Sequence, residues 1–292
     1  TTTHLNYPYG LGAQGNSIWV GEMWGNRLLK YASDGSFQQS FGRAGFAEDY
    51  TDTSFWEIAD VATDVSGNIW VVDAASSRVV KLNAAGQALL TLGKRWDRGS
   101  DNSRFEYPIS VDFDAAGNIY VSDGAPWWER GGGNHRIQVF QSDGTYLTTI
   151  GQTGVCGSGN DQFCGPRHIA IYGNELYVAD ASNDRVQVFD ISNPASPSYV
   201  ATISSLNNPS GVAVDAAYIY VANTWNHQVL VFDRSTRNLV ATIGTGWGMG
   251  NDQFKNPSDV AVDAAGNLYV ADFVNTRVQQ FTRSGGIWQY AR

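Results

Sequence analysis

Three residues at one repeated position have side chains suited to binding a metal ion. Asp60, His168 and Asp259 are each the third residue of a short apolar segment that recurs along the chain. If these segments surround one axis, two carboxylates and one imidazole converge on it with near-threefold spacing. Such a set suits a hard or borderline divalent cation, Ca²⁺ included. The alternative is a metal-free tunnel lined by polar residues, and we expect no obligatory cofactor.

The segments belong to units that repeat along the whole chain. The clearest copies of the repeated phrase are Gly-Asn-Ile-Trp-Val-Val-Asp at 67–73, Gly-Asn-Ile-Tyr-Val-Ser-Asp at 117–123 and Gly-Asn-Leu-Tyr-Val-Ala-Asp at 266–272. The equivalent valines are Val20, Val71, Val121, Val178, Val221 and Val270. Their spacing of roughly 40–60 residues is typical of propeller blades rather than helical repeats.

Each unit contains four short segments rich in Val, Ile, Tyr and Phe, separated by Gly, Asn and Asp turns. No sustained helical period is present, so the sequence predicts an all-β, six-bladed β-propeller of four-stranded antiparallel blades. We expect one domain over residues 1–292. Its blades are predicted at approximately 6–42, 57–93, 107–151, 165–204, 208–244 and 256–292.

An acidic residue and an arginine recur five positions apart in most units. The pairs are Glu22/Arg27, Asp73/Arg78, Asp180/Arg185 and Asp272/Arg277, and the fifth unit replaces both members, with Asn223 and Gln228. Loss of both charges together is what a salt bridge requires, because a lone half-buried charge is costly. We therefore interpret these residues as structural.

Tryptophans that break the repeat indicate a recognition surface. The third unit carries an eight-residue insertion between its acid and its arginine, and most connections between units are long. In a propeller these loops lie on one face, because both kinds of connection leave the same strand ends. The predicted ligand-binding residues are Trp127, Trp128, Trp225, Trp24, Trp247, Trp96, Arg130 and Arg95. The alternative is that the tryptophans pack the loops against one another.

The two cysteines, Cys156 and Cys164, lie in one Gly-rich connection. A local disulfide between them would favour an oxidising, extracellular setting. Two unrelated buried thiols, or a zinc site that adds His168, are the alternatives.

Composition narrows the classes of partner. The net charge is −9 and the pI about 4.8, which argues against a nucleic-acid partner, although a local arginine cluster is present. No apolar run approaches the roughly 18 residues of a membrane span, so we expect no membrane insertion.

The segment Asp-Ala-Ala-Gly-Asn-Leu-Tyr-Val-Ala-Asp-Phe-Val-Asn-Thr-Arg-Val-Gln-Gln-Phe at 263–281 resembles NHL repeats, as does Gly-Asn-Asp-Gln-Phe-x-x-Pro at 159–166 and 250–257. The resemblance covers nearly the whole chain and implies a six-bladed ring. It does not imply an activity, because NHL propellers include protein-binding, RNA-binding and sensor domains as well as an enzyme.

The enzyme of that family is the peptidyl-hydroxyglycine amidating lyase, which residues 158–166 and Val-Ser-Asp-Gly at 121–124 distantly resemble. The lyases place zinc-binding histidines directly after the residue that opens a blade. The residues at that position are Tyr9, Ala59, Ile109, Arg167, Ser210 and Ser258, so the zinc ligands are not matched. The lyase's catalytic tyrosine and arginine correspond to Ala125 and Ala181. The resemblance does imply a tunnel calcium at Asp259 and, less directly, Asp60.

We therefore expect a secreted or cell-surface propeller that binds a protein or glycan ligand without chemistry, in some settings as part of a larger surface protein. The competing hypothesis is a metal-dependent lyase or hydrolase that uses the tunnel residues as ligands and Arg167 to orient its substrate.

Overall fold

The computed structural model describes residues 4–42, 51, 53–125 and 132–292. The regular structure in these residues is almost entirely β-strand. The strands of the first three blades are β1 (Pro8–Gln14), β2 (Ser17–Glu22), β3 (Arg27–Ala32), β4 (Phe37–Gly42), β5 (Ile58–Thr63), β6 (Ile69–Asp73), β7 (Arg78–Leu82), β8 (Ala88–Gly93), β9 (Pro108–Phe113), β10 (Ile119–Asp123), β11 (Arg136–Phe140) and β12 (Tyr146–Gly151).

The other three blades continue the same order. Their strands are β13 (Pro166–Tyr172), β14 (Glu175–Asp180), β15 (Arg185–Asp190), β16 (Ser198–Ile203), β17 (Pro209–Val214), β18 (Tyr218–Asn223), β19 (Gln228–Asp233), β20 (Leu239–Ile243), β21 (Pro257–Val262), β22 (Leu268–Asp272), β23 (Arg277–Ser284) and β24 (Ile287–Tyr290). Single 3₁₀ turns at Ala181–Asn183 and Thr224–Asn226 connect the second and third strands of blades 4 and 5.

Each blade is a sheet of four consecutive antiparallel strands. The first strand of each blade packs beside the first strand of the next, and β21 packs beside β1, which closes the ring. The predicted six-bladed β-propeller is confirmed. Because the strands are antiparallel, the turns between second and third strands lie at the same edge of the ring as the connections between blades. We call this edge the loop face.

Turns on the opposite face are formed by the repeated Asp-x-x-Gly-Asn sequence. In blade 2 the Asp64 carboxylate accepts hydrogen bonds from the backbone N–H groups of Ser66 and Asn68, at 3.0 and 2.9 Å. Gly67 has a φ of 77°, a left-handed conformation that glycine adopts without steric cost. This local chemistry sets the register of the first two strands.

The acid–arginine pairs form salt bridges that fasten each incoming connection to its blade. Arg185 contacts Asp180 at 2.8 Å and also donates to the backbone carbonyls of Ser158, Gly159 and Gln162. The carboxylate of Asp180 in turn accepts a hydrogen bond from the Cys164 N–H at 2.7 Å. Equivalent salt bridges are present in blades 1, 2, 3 and 6. These salt-bridged side chains therefore hold the connections of the loop face against their blades.

The predicted disulfide is confirmed, because Cys156 and Cys164 are bonded to each other. Neither cysteine is free, which excludes the alternatives of two separate thiols and of a zinc site that uses them. The bond closes the connection that leads from blade 3 into blade 4.

The described residues include no helix with the length and apolar character that a bilayer-spanning helix requires.

Candidate functional site

The structure brings Asp60, His168 and Asp259 together at the centre of the ring. They lie on β5, β13 and β21, the first strands of blades 2, 4 and 6, and all three are buried. Suitable ligand atoms of the three side chains lie within 4.8 Å of one another. The sequence prediction that these residues converge agrees with this geometry. We call them the tunnel cluster.

Glycines on the intervening blades make room for the tunnel cluster. A Cβ atom on Gly10 would lie 2.4 Å from the Cα atom of Asp60, and one on Gly211 would lie 2.5 Å from the Cα atom of Asp259. Real Cβ contacts are not this short. The first strands can therefore approach closely only because blades 1 and 5 carry no side chain at this level.

Asp60 is held by hydrogen bonds from its own strand and from the neighbouring blade 3. Its Oδ1 accepts from the backbone N–H of Val61 at 2.7 Å, while Oδ2 accepts from the Ser110 hydroxyl at 2.7 Å and the Val111 N–H at 3.1 Å. Burial raises the pKa of Asp60, and the nearby His168 opposes this rise. The hydrogen bonds thus fix the carboxylate in position, and a positive charge beside it would favour its ionised form.

Asp259 is the second buried carboxylate of the cluster. Its Oδ2 accepts a hydrogen bond from the Leu11 N–H at 2.8 Å. Burial raises the pKa of Asp259 to about 7; His168 lowers this pKa, and the neighbouring carboxylate of Asp60 raises it further. A cation beside the two carboxylates would stabilise their ionised forms.

His168 is oriented so that one ring nitrogen faces oxygen atoms of both neighbours. Nδ1 lies 3.1 Å from the Ser210 carbonyl oxygen, a contact of the kind that orients metal-binding histidines. Nε2 lies 3.2 Å from the Ala59 carbonyl oxygen, 3.6 Å from Asp259 Oδ2 and 4.0 Å from Asp60 Oδ1. Three oxygen atoms therefore lie within 4.0 Å of Nε2, an arrangement that suits either a proton on Nε2 or a small divalent cation.

The tunnel cluster lies at one end of a cavity of about 200 Å³ lined by the first strands of all six blades.

Asp112, on β9, is a further carboxylate on the wall of this cavity. It accepts hydrogen bonds from the backbone N–H groups of Ile171 at 2.6 Å and Phe113 at 2.8 Å. Burial nevertheless raises the pKa of Asp112 to about 7. This carboxylate was not identified from the sequence, although it follows the repeated tunnel position of blade 3 by two residues.

On the loop-face side, the tunnel cluster is covered by an arginine and a tyrosine from opposite blades. The Arg167 guanidinium donates to the Tyr9 hydroxyl at 2.7 Å, and the Tyr9 ring lies 5.5 Å from that of His168. Nearby, the Tyr107 hydroxyl donates to Glu57 at 2.5 Å, and burial together with the Glu57 carboxylate raises the pKa of Tyr107. Sequence comparison of the repeats identified the Arg167 and Tyr9 positions but not their contact across the axis.

Four predicted tryptophans lie exposed on the loop face. Trp24 is 46% exposed, Trp96 51%, Trp225 46% and Trp247 58%. Trp24 follows β2 and Trp225 follows β18, while Trp96 and Trp247 lie in connections between blades. Trp24 thus lies on blade 1, Trp225 on blade 5 and Trp247 in the connection between blades 5 and 6, so these three lie on adjacent parts of the ring. Trp96, in the connection between blades 2 and 3, lies on the other side of the ring. Trp127, Trp128 and Arg130 lie outside the described residues.

The exposed indoles are supported by neighbouring side chains. The Trp24 ring lies 4.1 Å from that of Tyr7 and 6.3 Å from that of Phe273. Trp247 packs edge-on against the His227 ring at 4.8 Å, and the Lys255 ammonium lies 5.3 Å from its centroid. These contacts hold the rings in place while leaving about half of each exposed.

Arg95 has a structural contact as well as an exposed neighbour. Its guanidinium donates to the backbone carbonyls of Thr51 and Ser54, both at 2.7 Å, and lies 5.7 Å from the Trp96 ring. It therefore links the connection before blade 2 to the connection before blade 3. Its predicted contact with a ligand stays a prediction.

Two repeat-family models match parts of the chain. The NHL repeat model matches residues 206–232 and 254–281, and the LVIVD repeat model matches residues 166–204. The chain contains NHL repeats. The resemblance inferred from the sequence is thereby confirmed.

Relatives of this NHL propeller include amidating enzymes. Mouse peptidyl-glycine alpha-amidating monooxygenase is 26% identical over 235 residues, which cover 76% of this chain and 23% of that protein. Peptidyl-alpha-hydroxyglycine alpha-amidating lyase 2 of Drosophila melanogaster is 28% identical over 239 residues, 78% of this chain and 53% of that protein. The chain thus covers less than two thirds of the length of either relative, 23% of the first and 53% of the second.

A solved structure has the same fold as this NHL propeller at low sequence identity. The virginiamycin B lyase from Staphylococcus aureus superposes with a TM-score of 0.61 and 13% identity, over 99% of this chain and 86% of that one. This similarity concerns the fold alone.

Proposed function

We propose that this NHL propeller is a non-catalytic recognition module that binds a protein or glycan ligand on its loop face. The observation that supports it is the set of four half-exposed tryptophans on that face. An indole ring supplies a large contact area with few rotatable bonds, and tryptophan and arginine dominate the energetics of many interfaces. A propeller that needs these residues only for packing would bury them.

The face is also pre-organised for binding. Salt bridges such as Arg277–Asp272, at 2.8 Å, fasten the connections to the blades, and Arg277 also donates to the backbone carbonyls of Met249 and Gly250 beside Trp247. A loop held in its bound conformation loses less entropy when a ligand binds. The disulfide and the relation to amidating enzymes are compatible with an extracellular setting, which we include in the proposal.

The test compares a variant that lacks two neighbouring indoles with a variant that lacks an exposed aromatic side chain elsewhere on the ring. The double variant Trp225→Ala/Trp247→Ala is assayed on a defined glycan array and on a panel of immobilised extracellular proteins. Phe37→Ala is the matched control, because Phe37 is 56% exposed but lies on the outer strand of blade 1. We expect the double variant to lose binding by about 100-fold or more and the control to keep it. Equal losses in both variants, or a wild-type protein that binds nothing on either panel, would refute the proposal.

A second function is supported by the tunnel cluster and by the relation to lyases. In this alternative the cluster holds a divalent cation, and Arg167 orients an anionic substrate at the tunnel mouth. The cation would act as a Lewis acid, while Arg167 and Tyr9 bind and orient. Elemental mass spectrometry of the purified protein, with assays on esters, lactones and hydroxyglycine peptides, tests it. Activity that is abolished by a chelator and by Arg167→Met supports this function, and activity that survives the chelator excludes it.

A further inference from the structure

Small side chains leave space in the tunnel directly beyond the tunnel cluster. Two residues past the tunnel position, five of the six first strands carry glycine or alanine, and β9 carries an aspartate. The residues at this level are Gly12, Ala62, Asp112, Ala170, Ala213 and Ala261, and all six line the cavity of about 200 Å³. We call this space the tunnel cavity. One carboxylate therefore faces a ring of positions at which the other strands carry no polar side chain.

Solvent reaches the tunnel cavity from the face opposite the loop face. Every first strand becomes more exposed towards that face, and Thr63 and Ile171 are partly exposed residues of the cavity wall. Asp112 is itself partly exposed. On the loop-face side, the contact between Arg167 and Tyr9 covers the buried tunnel cluster. A ligand would therefore enter from the opposite face and meet Asp112 before it meets the tunnel cluster.

The charge of the Asp112 carboxylate is not balanced by a cationic side chain of the described residues. Its two oxygens accept the backbone N–H groups of Ile171 and Phe113, which position the carboxylate but carry no charge. Burial raises the pKa of Asp112 to about 7, and the nearby carboxylate of Asp60 contributes to this rise. Among the described residues, no lysine, arginine or histidine lies close enough to lower that pKa. A cation in the tunnel cavity would stabilise the ionised carboxylate.

The surroundings of Asp112 suit an organic cation better than a metal ion. Ca²⁺ takes about six to eight oxygen ligands, whereas the other five side chains at this level contain no oxygen. Alanine methyl groups and the side chains of Val214 and Val262 form apolar parts of the wall instead. The cavity is smaller than the roughly 300–1,000 Å³ of sites for drug-sized ligands, which limits the ligand to a few non-hydrogen atoms.

We propose that the tunnel cavity binds a small primary alkylammonium ion, whose NH₃⁺ group donates to the Asp112 carboxylate while its alkyl part contacts the alanine and valine side chains. A hydrogen bond between two charged groups is stronger than one between neutral groups. A free amine and the lysine side chain of a partner protein end in the same group, and titrations distinguish these two sources. The site does not depend on the loop-face tryptophans, and it differs from the tunnel cluster in its level and in its ligand.

Two probes of similar shape separate recognition of the charge from simple filling of the cavity. n-Butylammonium carries the NH₃⁺ group, whereas 1-butanol carries an uncharged hydroxyl group at the same place. At about pH 8 the Asp112 carboxylate is ionised, and the amine stays protonated as a lysine side chain does below its pKa of about 10.4. NMR of the Ala170 and Ala213 methyl groups follows both titrations. We expect n-butylammonium to bind at least tenfold more tightly. Equal affinity, or binding of neither probe, would overturn the proposal.

Two variants test whether Asp112 is the site of binding. Asp112→Asn keeps the shape of the side chain but removes its charge, so it should abolish the preference for n-butylammonium. Ala213→Leu should weaken the binding of both probes by occupying the tunnel cavity, and it provides a second test if the first variant folds poorly. A preference for n-butylammonium that persists in Asp112→Asn would assign the amine to other carboxylates and refute the proposed site.

A lysine derivative identifies the source of the ammonium group. Nα-acetyl-lysine N-methylamide carries the same butylammonium chain on a peptide backbone. If it binds as tightly as n-butylammonium, with the same dependence on Asp112, the tunnel admits the lysine side chain of a partner protein. If n-butylammonium alone binds, the peptide backbone is too wide for the tunnel mouth, and the ligand is a free amine.

Discussion

The tunnel cluster and the loop-face tryptophans use the same ring in opposite ways. At the axis, the side chains of the tunnel cluster are held by hydrogen-bond partners that lie mostly on neighbouring blades, and glycines allow the first strands to approach one another closely. On the loop face, the indoles have a supported edge and an exposed one. Substitutions near the axis should therefore change stability, and substitutions on the face should change binding.

Among substitutions in these two regions, the largest effect on stability is expected at the glycines of the axis. Gly211→Ala places a methyl group 2.5 Å from the backbone of Asp259, and overpacking of this kind costs about 3 kcal/mol. Gly154→Ala is the control, because Gly154 lies in a loop with a φ of 76° and nothing within 4 Å of the added carbon; it should lose only about 1 kcal/mol. Chemical denaturation measures both. Similar losses in the two variants would show that the close approach of the strands is not constrained.

A bound cation should produce the next largest effect, and only at the axis. If a divalent cation occupies the tunnel cluster, adding Ca²⁺ at about 100 times its dissociation constant should raise the free energy of unfolding by about 3 kcal/mol. Asp259→Asn should remove this stabilisation, whereas Trp225→Ala should keep it. Elemental mass spectrometry on protein purified without a tag measures the occupant directly. If the protein held no metal and its stability did not respond to Ca²⁺, Mn²⁺ or Zn²⁺, we would conclude that Nε2 of His168 faces the carboxylates with a proton and not with a cation.

The buried carboxylates should also make stability depend on pH in the absence of added metal. Burial raises the pKa of Asp112 to about 7, above its value in the unfolded chain. The folded state therefore holds this proton more strongly, so the associated stability is complete below about pH 4 and is lost as the pH rises to about 7. The loss amounts to at most about 4 kcal/mol.

Comparison of the wild-type protein with Asp112→Asn isolates this contribution. The variant carries no titrating group at this site, so its unfolding free energy should fall less between pH 5 and pH 7.5. Urea denaturation at several pH values gives the two slopes. Identical slopes would mean that Asp112 titrates normally in the folded protein.

The fold and the convergence of the tunnel cluster could be predicted because both follow from the repeat. Equivalent positions in a closed ring must lie at the same level, so Asp60, His168 and Asp259 meet at the axis. The Arg167–Tyr9 contact could not be predicted in the same way, because it depends on how far two side chains reach across the tunnel.

The smallest effect on stability is expected where the effect on binding is largest. Trp225 and Trp247 are about half exposed, so replacing both with alanine removes few packed contacts and should cost no more than about 1 kcal/mol. Trp70 provides the comparison, because it is buried in the interface between blades 2 and 3. Replacing Trp70 with alanine should lower the free energy of unfolding by about 3–5 kcal/mol. Thermal denaturation of the three proteins gives the comparison. If the loop-face double variant lost as much stability as Trp70→Ala, the exposed indoles would belong to the core of the loops, and the recognition surface would have to be sought elsewhere on the ring.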